Sequence, residues 1–137
     1  MDVLVLIGRI VFALLFLLSA FNHLTRSGPL AAYAAGKGLP SPRLAVLGSG
    51  VLLLVGSLSL LLGVWPDLGA LLLVVFLVPT ALVMHNFWTV PDPGARANDM
   101  LHFQKDMALA GAALAMAGLF AVAGDDVGLT WTEPLFG

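Results

Sequence analysis

Leu68–Trp88, LGALLLVVFLVPTALVMHNFW, is the stretch whose reading decides the fold. It opens as a nearly unbroken apolar run, carries Pro79 inside that run, and ends in His85-Asn86-Phe87-Trp88. At about 1.5 Å of rise per residue, a helix of this length covers the roughly 30 Å of hydrocarbon in a bilayer. Proline lacks the backbone donor, so the Val75 carbonyl one turn earlier loses its partner. A kink is expected, with Thr80 placed to satisfy freed backbone groups. The end of the run holds a dense polar and aromatic cluster at the depth where a helix leaves the membrane.

The rest of the chain has the same character. It is 137 residues long, 60% hydrophobic and only 10% charged, with mean hydropathy +1.02. A soluble domain carries about a quarter charged residues, so this is the composition of a membrane protein. The chain has no cysteine, which excludes disulfides, thiolate metal sites, iron–sulfur clusters and CxxC redox chemistry. Six basic against eight acidic residues give no reason to expect nucleic acid as a partner. The first apolar run, Val3–Phe21, is too long for a signal-peptide core and lacks a basic leader, so it is expected to remain as a span.

Hydropathy and punctuation predict an all-α, four-span bundle in one domain over residues 1–137, with spans at 3–22, 43–63, 68–88 and 102–123. Arg9 lies inside the first span, where a charge costs roughly 2.5–3.5 kcal/mol near the bilayer centre. It is expected to snorkel to the interface or to pair with an acid at its own level, Asp67 or Asp125, with a ligand contact as the alternative. Arg9, Phe12, Phe16, Ser19 and His23 share one stripe that faces a bundle interior. Pro29 and the following alanines predict a short interfacial helix between the first two spans, ended by Gly36 and Gly38. Ser49, Leu52, Gly56, Ser59 and Gly63 form a small-residue stripe for close helix packing, and Gly111, Ala115 and Gly118 form another. Pro91–Ala97 is expected as a loop, with Asn98 or Asp99 capping the fourth span. The acidic tail 124–137 is expected to lie along the membrane surface.

Lys and Arg prefer the cytoplasmic side. Arg26, Lys37, Arg43, Arg96 and Lys105 all fall at one end, so loops 23–42 and 89–101 are expected to be cytoplasmic, with both termini outside. The lipid bilayer is one partner, and another membrane protein or a second copy of the chain is expected as well.

That topology gathers polar groups at the cytoplasmic level: His23 from the first span, His85, Phe87 and Trp88 from the third, and His102, Lys105 and Asp106 from the fourth. Polar side chains at membrane depth are expensive unless paired, which makes the cluster a candidate site. It fits four uses. A quinone or lipid-like ligand takes a hydrogen bond from His85 or His23 and stacks on Phe87 or Trp88. A b-type haem sits between His23 and His85, but at this depth it is poorly buried. A metal is held by His23, His85, His102 and Asp106, but without any HxxxH or HxxE spacing. In the fourth use, these groups are interfacial caps and interhelix hydrogen bonds. The expectation adopted is a quinone or lipid contact, with no metal and no covalently bound cofactor.

Gly8-Arg9, the linker LAAYAAGKGLPSPRLA, the Gly56–Gly63 spacing, HNFW, and FQKDMALAG together resemble the DoxX family of small four-helix membrane proteins, over roughly Gly8 to Ala123. The chain departs from the family pattern at His23, where lysine is usual, at Asp106, often asparagine, and in lacking a glutamate in the second span. The family takes its name from a thiosulfate:quinone oxidoreductase subunit, and other members associate with redox-stress enzymes. The resemblance implies an accessory role, with Arg9, His85, Phe87, Trp88 and Lys105 as functional positions and His23 and Asp106 as substituted ones. With no cysteine and no cofactor motif, the chain is not expected to be catalytic on its own. The competing expectation is a membrane scaffold or assembly factor.

Overall fold

A computed structural model describes residues 1–137, apart from the side chain of Asp125. It is all-helical: α1 (Asp2–Thr25), the short α2 (Ser27–Gly36), α3 (Pro42–Leu62), α4 (Pro66–Met84) and α5 (Pro93–Ala123). Four of these, all but α2, are long and apolar enough to cross a membrane. Within those four, only 22–33% of the most apolar window is buried inside the protein. Large side chains such as Leu4, Val11, Leu18, Val55, Val75 and Leu114 face outward. A soluble monomer does not tolerate an apolar surface on that scale, whereas lipid covers it at no cost.

The helices run up and down. α1 packs on α3, α3 on α4, and α4 on α5, around a core of Phe16, Ala20, Leu53, Leu60, Leu73, Leu77, Ala110 and Ala117. The stripe predicted on α1 does face inward: Arg9 and Phe16 are buried, and Phe12 packs against the core. Two glycines set how closely the helices approach. A Cβ at Gly50 would sit 2.9 Å from Leu24 Cδ2 on α1, and one at Gly56 would sit 3.1 Å from the carbonyl oxygen of Gly69 on α4. Of the small-residue stripe predicted on α3, Gly56 and Ser59 pack closely on α4 at Gly69, whereas Ser49 and Leu52 line a cavity; Gly50 lies outside that stripe. The stripe predicted on α5 does not pack: Gly111 and Gly118 meet nothing within 4 Å. The buried face of α5 is Asp106, Ala110, Ala113, Ala117 and Phe120 instead.

Two local expectations are corrected. α4 stops at Met84, with His85 as its C-cap residue, and Phe87–Thr89 form a separate 3-10 turn, so Phe87 and Trp88 are not part of the spanning helix. α5 begins at Pro93, well before Asn98 or Asp99. Its cap is Asp92, whose carboxylate accepts from Ala95 N–H at 2.8 Å. Asp-Pro at the cap and first helical position is a strong start signal, and it outweighs the polarity of the segment that follows. At about 1.5 Å per residue, the 31 residues of α5 make about 46 Å, so its polar first turns project beyond the hydrocarbon. The tail folds back over the α3–α4 turn. Trp131 and Thr132 donate their N–H groups to the Gly63 carbonyl at 3.0 and 3.1 Å, and the Thr132 hydroxyl accepts from Trp65 N–H at 2.8 Å.

Candidate functional site

At the tail end of the bundle the two buried charges, Arg9 and Asp67, are bonded to main chain. Arg9 is 1% exposed. Its Nε donates to the Leu60 carbonyl at 2.8 Å, Nη2 to Leu61 at 3.0 Å and Nη1 to Leu129 at 2.9 Å, and its guanidinium lies 5.9 Å from the Phe120 ring centre. It does not snorkel, and among the described residues it pairs with no acid. The reason is local: α3 ends at Gly63 in the left-handed conformation, φ +71°, so its last carbonyls have no helical partner and a fork-shaped donor can cap them. Asp67, expected as the partner of Arg9, accepts from Leu135 and Phe136 N–H groups at 2.9 and 2.7 Å. The side chain of Asp125, the other candidate, lies outside the described residues. This end is a plug.

At the opposite end α3 and α4 no longer touch so closely. Between them lies a cavity of about 620 Å³, bounded by the end of α1, by α2 across the top, and by the α3 and α4 segments around Ser49 and Thr80. Gly48, Val75, Pro79 and Val83 lie on its wall and are themselves exposed, so it opens sideways onto the lipid-facing surface. Pro79, picked out from sequence as a break in α4, is thus a wall residue, and Thr80 lines the same space. Tyr33 donates to the Met84 carbonyl at 3.4 Å, and Lys37 donates to Asp99 Oδ2 at 2.8 Å and Asn86 Oδ1 at 3.3 Å. Together they tie α2 down as a roof.

Of the six residues expected to form a ligand site, His23, His85 and Asp106 line this cavity. His23 Nδ1 is 2.8 Å from the Ser19 carbonyl, and its ring meets Phe76 edge-on at 5.8 Å. His85 lies between two carboxylates, with Nδ1 3.7 Å from Asp99 and Nε2 3.7 Å from Asp106, and it stacks on His102 at 4.9 Å. Both separations exceed hydrogen-bond length, and His85 Nδ1 is buried without a partner. Asp106 is only 7% exposed.

The other three expected residues are off the wall. Phe87 and Trp88 pack edge-on with each other and with Phe103, at ring separations of 5.2–5.7 Å. Lys105 is exposed and lies 3.2 Å from His102 Nδ1. For Phe87 and Trp88 the early end of α4 accounts for this, because the chain turns away after His85. Among the described residues, no three histidines or carboxylates converge as metal ligands. His23 is held by its own helix, apart from the His85–His102 stack.

Sequence reasoning missed Tyr33, Ser49 and Asp99. Asp99, His102 and Asp106 are spaced three and four apart, one face of a helix. Starting α5 at Asp92-Pro93 would have exposed that pattern. Tyr33 and Ser49 carried no local signal.

Fold and cavity together define a class: a small bundle of four apolar helices with a pocket within its apolar layer, open at the side. The sequence profile of the DoxX family matches residues 4–86, and the chain belongs to that family. It is also 30% identical, over 115 residues, to the inner membrane protein YphA of Escherichia coli K12, covering 84% of this chain and 81% of that protein. No solved structure matches it. The profile match ends at Asn86, so Asp99, His102 and Asp106 on α5 lie outside it.

Proposed function

We propose that this chain is an accessory subunit of a membrane oxidoreductase or redox-stress complex, and that its cavity holds a quinone- or lipid-like molecule. The observation that supports this is the cavity: about 620 Å³, within the range of small-molecule sites, mostly apolar, with a few polar groups and a side opening. An apolar ligand reaches such a site through lipid without crossing water. The YphA relationship supports placement in the inner membrane, and the distribution of Lys and Arg supports an outside location for both termini. A reporter fused after Gly137 that reads as cytoplasmic would reverse that orientation.

The test is to purify the protein in detergent, extract it with organic solvent, and measure quinone alongside an optical spectrum for haem. The expected result is quinone in the native chain and its loss in Gly48→Phe. That substitution fills the opening from a position where a new Cβ meets nothing. If no quinone or lipid is retained and His85→Ala leaves partner pull-down intact, the ligand site is wrong.

One observation favours the scaffold alternative: the outward-facing Gly111, Ala115 and Gly118 on α5, a surface suited to close helix–helix contact in lipid. Under that reading Gly111→Leu abolishes partner association while the cavity residues are dispensable.

A further inference from the structure

The polar groups around the cavity are unequal in what they can still bond. The Ser49 hydroxyl donates to the Val46 carbonyl at 2.9 Å, and Tyr33 donates to Met84. A main-chain carbonyl only accepts, so the contact with Ser19 places the proton of neutral His23 on Nδ1 and leaves Nε2 with its lone pair. Asp106, buried and on the wall, has the nearest ring nitrogen of His85 at 3.7 Å, beyond hydrogen-bond length, so its carboxyl group keeps an open acceptor oxygen. His85 also lines the cavity, but its two ring nitrogens face Asp99 and Asp106. What the other four groups retain toward the space is accepting capacity: two hydroxyl oxygens, an imidazole nitrogen and a carboxyl oxygen. The Thr80 hydroxyl can turn either way. No Lys or Arg lines the cavity. The basic side chain nearest in sequence to its roof, Lys37, is committed to Asp99.

From this we infer that the cavity selects an apolar molecule whose head group donates hydrogen bonds, as a quinol or a long-chain alcohol does, over one that only accepts, such as the oxidised quinone, or an anionic lipid head. This rests on the proposed ligand-binding role and specifies its chemistry. A quinol offers two O–H groups to a wall of acceptors. A quinone offers two carbonyl oxygens to the same wall, and each buried acceptor facing another is left without a proton between them. A phosphate head adds charge beside Asp106 with no cation to meet it.

The experiment is isothermal titration of the detergent-purified full chain with three probes: decylubiquinol under anaerobic reduction, decylubiquinone, and dodecyl phosphate. The expected order is quinol about tenfold or more tighter than quinone, equivalent to about 1.4 kcal/mol, with dodecyl phosphate weakest. Dodecanol binding above dodecyl phosphate extends the preference beyond quinols. Asp106→Asn replaces an accepting oxygen by a donating amide. It is expected to weaken the quinol and strengthen the quinone, a shift in preference that mere loosening of the fold would not produce. His23→Phe keeps the contact with Phe76 and is expected to weaken the quinol alone. Equal or tighter binding of quinone or dodecyl phosphate overturns the inference while leaving the cavity as a binding site. Failure of all the probes to bind overturns the binding role itself, and the inference with it.

Discussion

The two ends of this bundle hold similar chemistry and treat it in opposite ways. At the tail end, Arg9 and Asp67 are each 1% exposed, and each is saturated by main-chain groups at 2.7–3.0 Å. At the α2 end, His85 lies among Asp99, Asp106 and His102 with separations of 3.7 Å or more, and one of its nitrogens is buried without a partner. A buried charge is costly unless its bonding capacity is met. The tail end meets that requirement from within the chain and stays closed. The α2 end leaves capacity unmet beside a cavity, the arrangement of a site that something else completes. The Gly56–Gly69 contact lies toward the first end, and the gap between α3 and α4 lies toward the second.

The contrast can be broken most severely at Arg9. Arg9→Met removes three charge-assisted bonds and leaves the Leu60, Leu61 and Leu129 carbonyls short of donors. Bonds to charged groups contribute about 1.5–3 kcal/mol each, so a loss of about 3 kcal/mol or more is expected, seen as a marked drop in the thermal unfolding midpoint in detergent. Retention of the wild-type midpoint would show that Arg9 is not the pin of that end.

Gly63→Ala should follow closely. The residue has φ +71°, and a Cβ there falls within 2.7 Å of Thr130 Cα and 2.5 Å of Arg9 Nη2. A destabilisation of about 2 kcal/mol is expected from strain and displacement together.

Asp67→Ala should have a more local effect. Leu135 and Phe136 lose their acceptor, the last residues of the tail come free while Trp131 and Thr132 stay bonded to the α3–α4 turn, and limited proteolysis should trim the C-terminus before the helices unfold. The cost is about 1–3 kcal/mol. A tail as protease-resistant as in the native chain would dissociate Asp67 from tail anchoring.

The α2 end should respond least in stability and most in binding. Lys37→Met breaks the 2.8 Å pair with Asp99 and is expected to cost about 1 kcal/mol, since the pair is partly solvated, while raising hydrogen exchange in α2. Gly48→Phe should change stability by less than about 0.5 kcal/mol, because nothing stands in the way of the new side chain, yet it should block the cavity. A large loss of stability in either variant would remove the distinction between a structural end and a binding end.

Much of the fold is legible because it follows from local rules. Apolar runs mark the spanning helices, and Pro29 with Gly36 and Gly38 marks α2 within two residues. The α1 stripe from Arg9 to His23 carries the helical period that turns it inward. The misplaced boundaries lie at His85 and Asp92; at Asp92 a side-chain cap competes with hydropathy and wins. Half of the candidate site was legible for a related reason. His23 and His85 stand at helix ends that topology brings together, with Asp106 at the same level inside α5, whereas Phe87, Trp88 and Lys105 were assigned to the wall by a helix that stops before the first two.

By itself, then, the sequence determined a membrane-spanning all-α chain, its family, and the level at which its polar groups collect, because hydropathy and periodicity act over a few residues at a time. The tertiary structure alone decided that Arg9 caps α3 instead of meeting Asp67, that the tail returns to Asp67, and that α3 and α4 enclose a cavity under α2. Those outcomes depend on contacts between residues some fifty to one hundred and twenty positions apart, and no local pattern encodes which of several available donors and acceptors will meet.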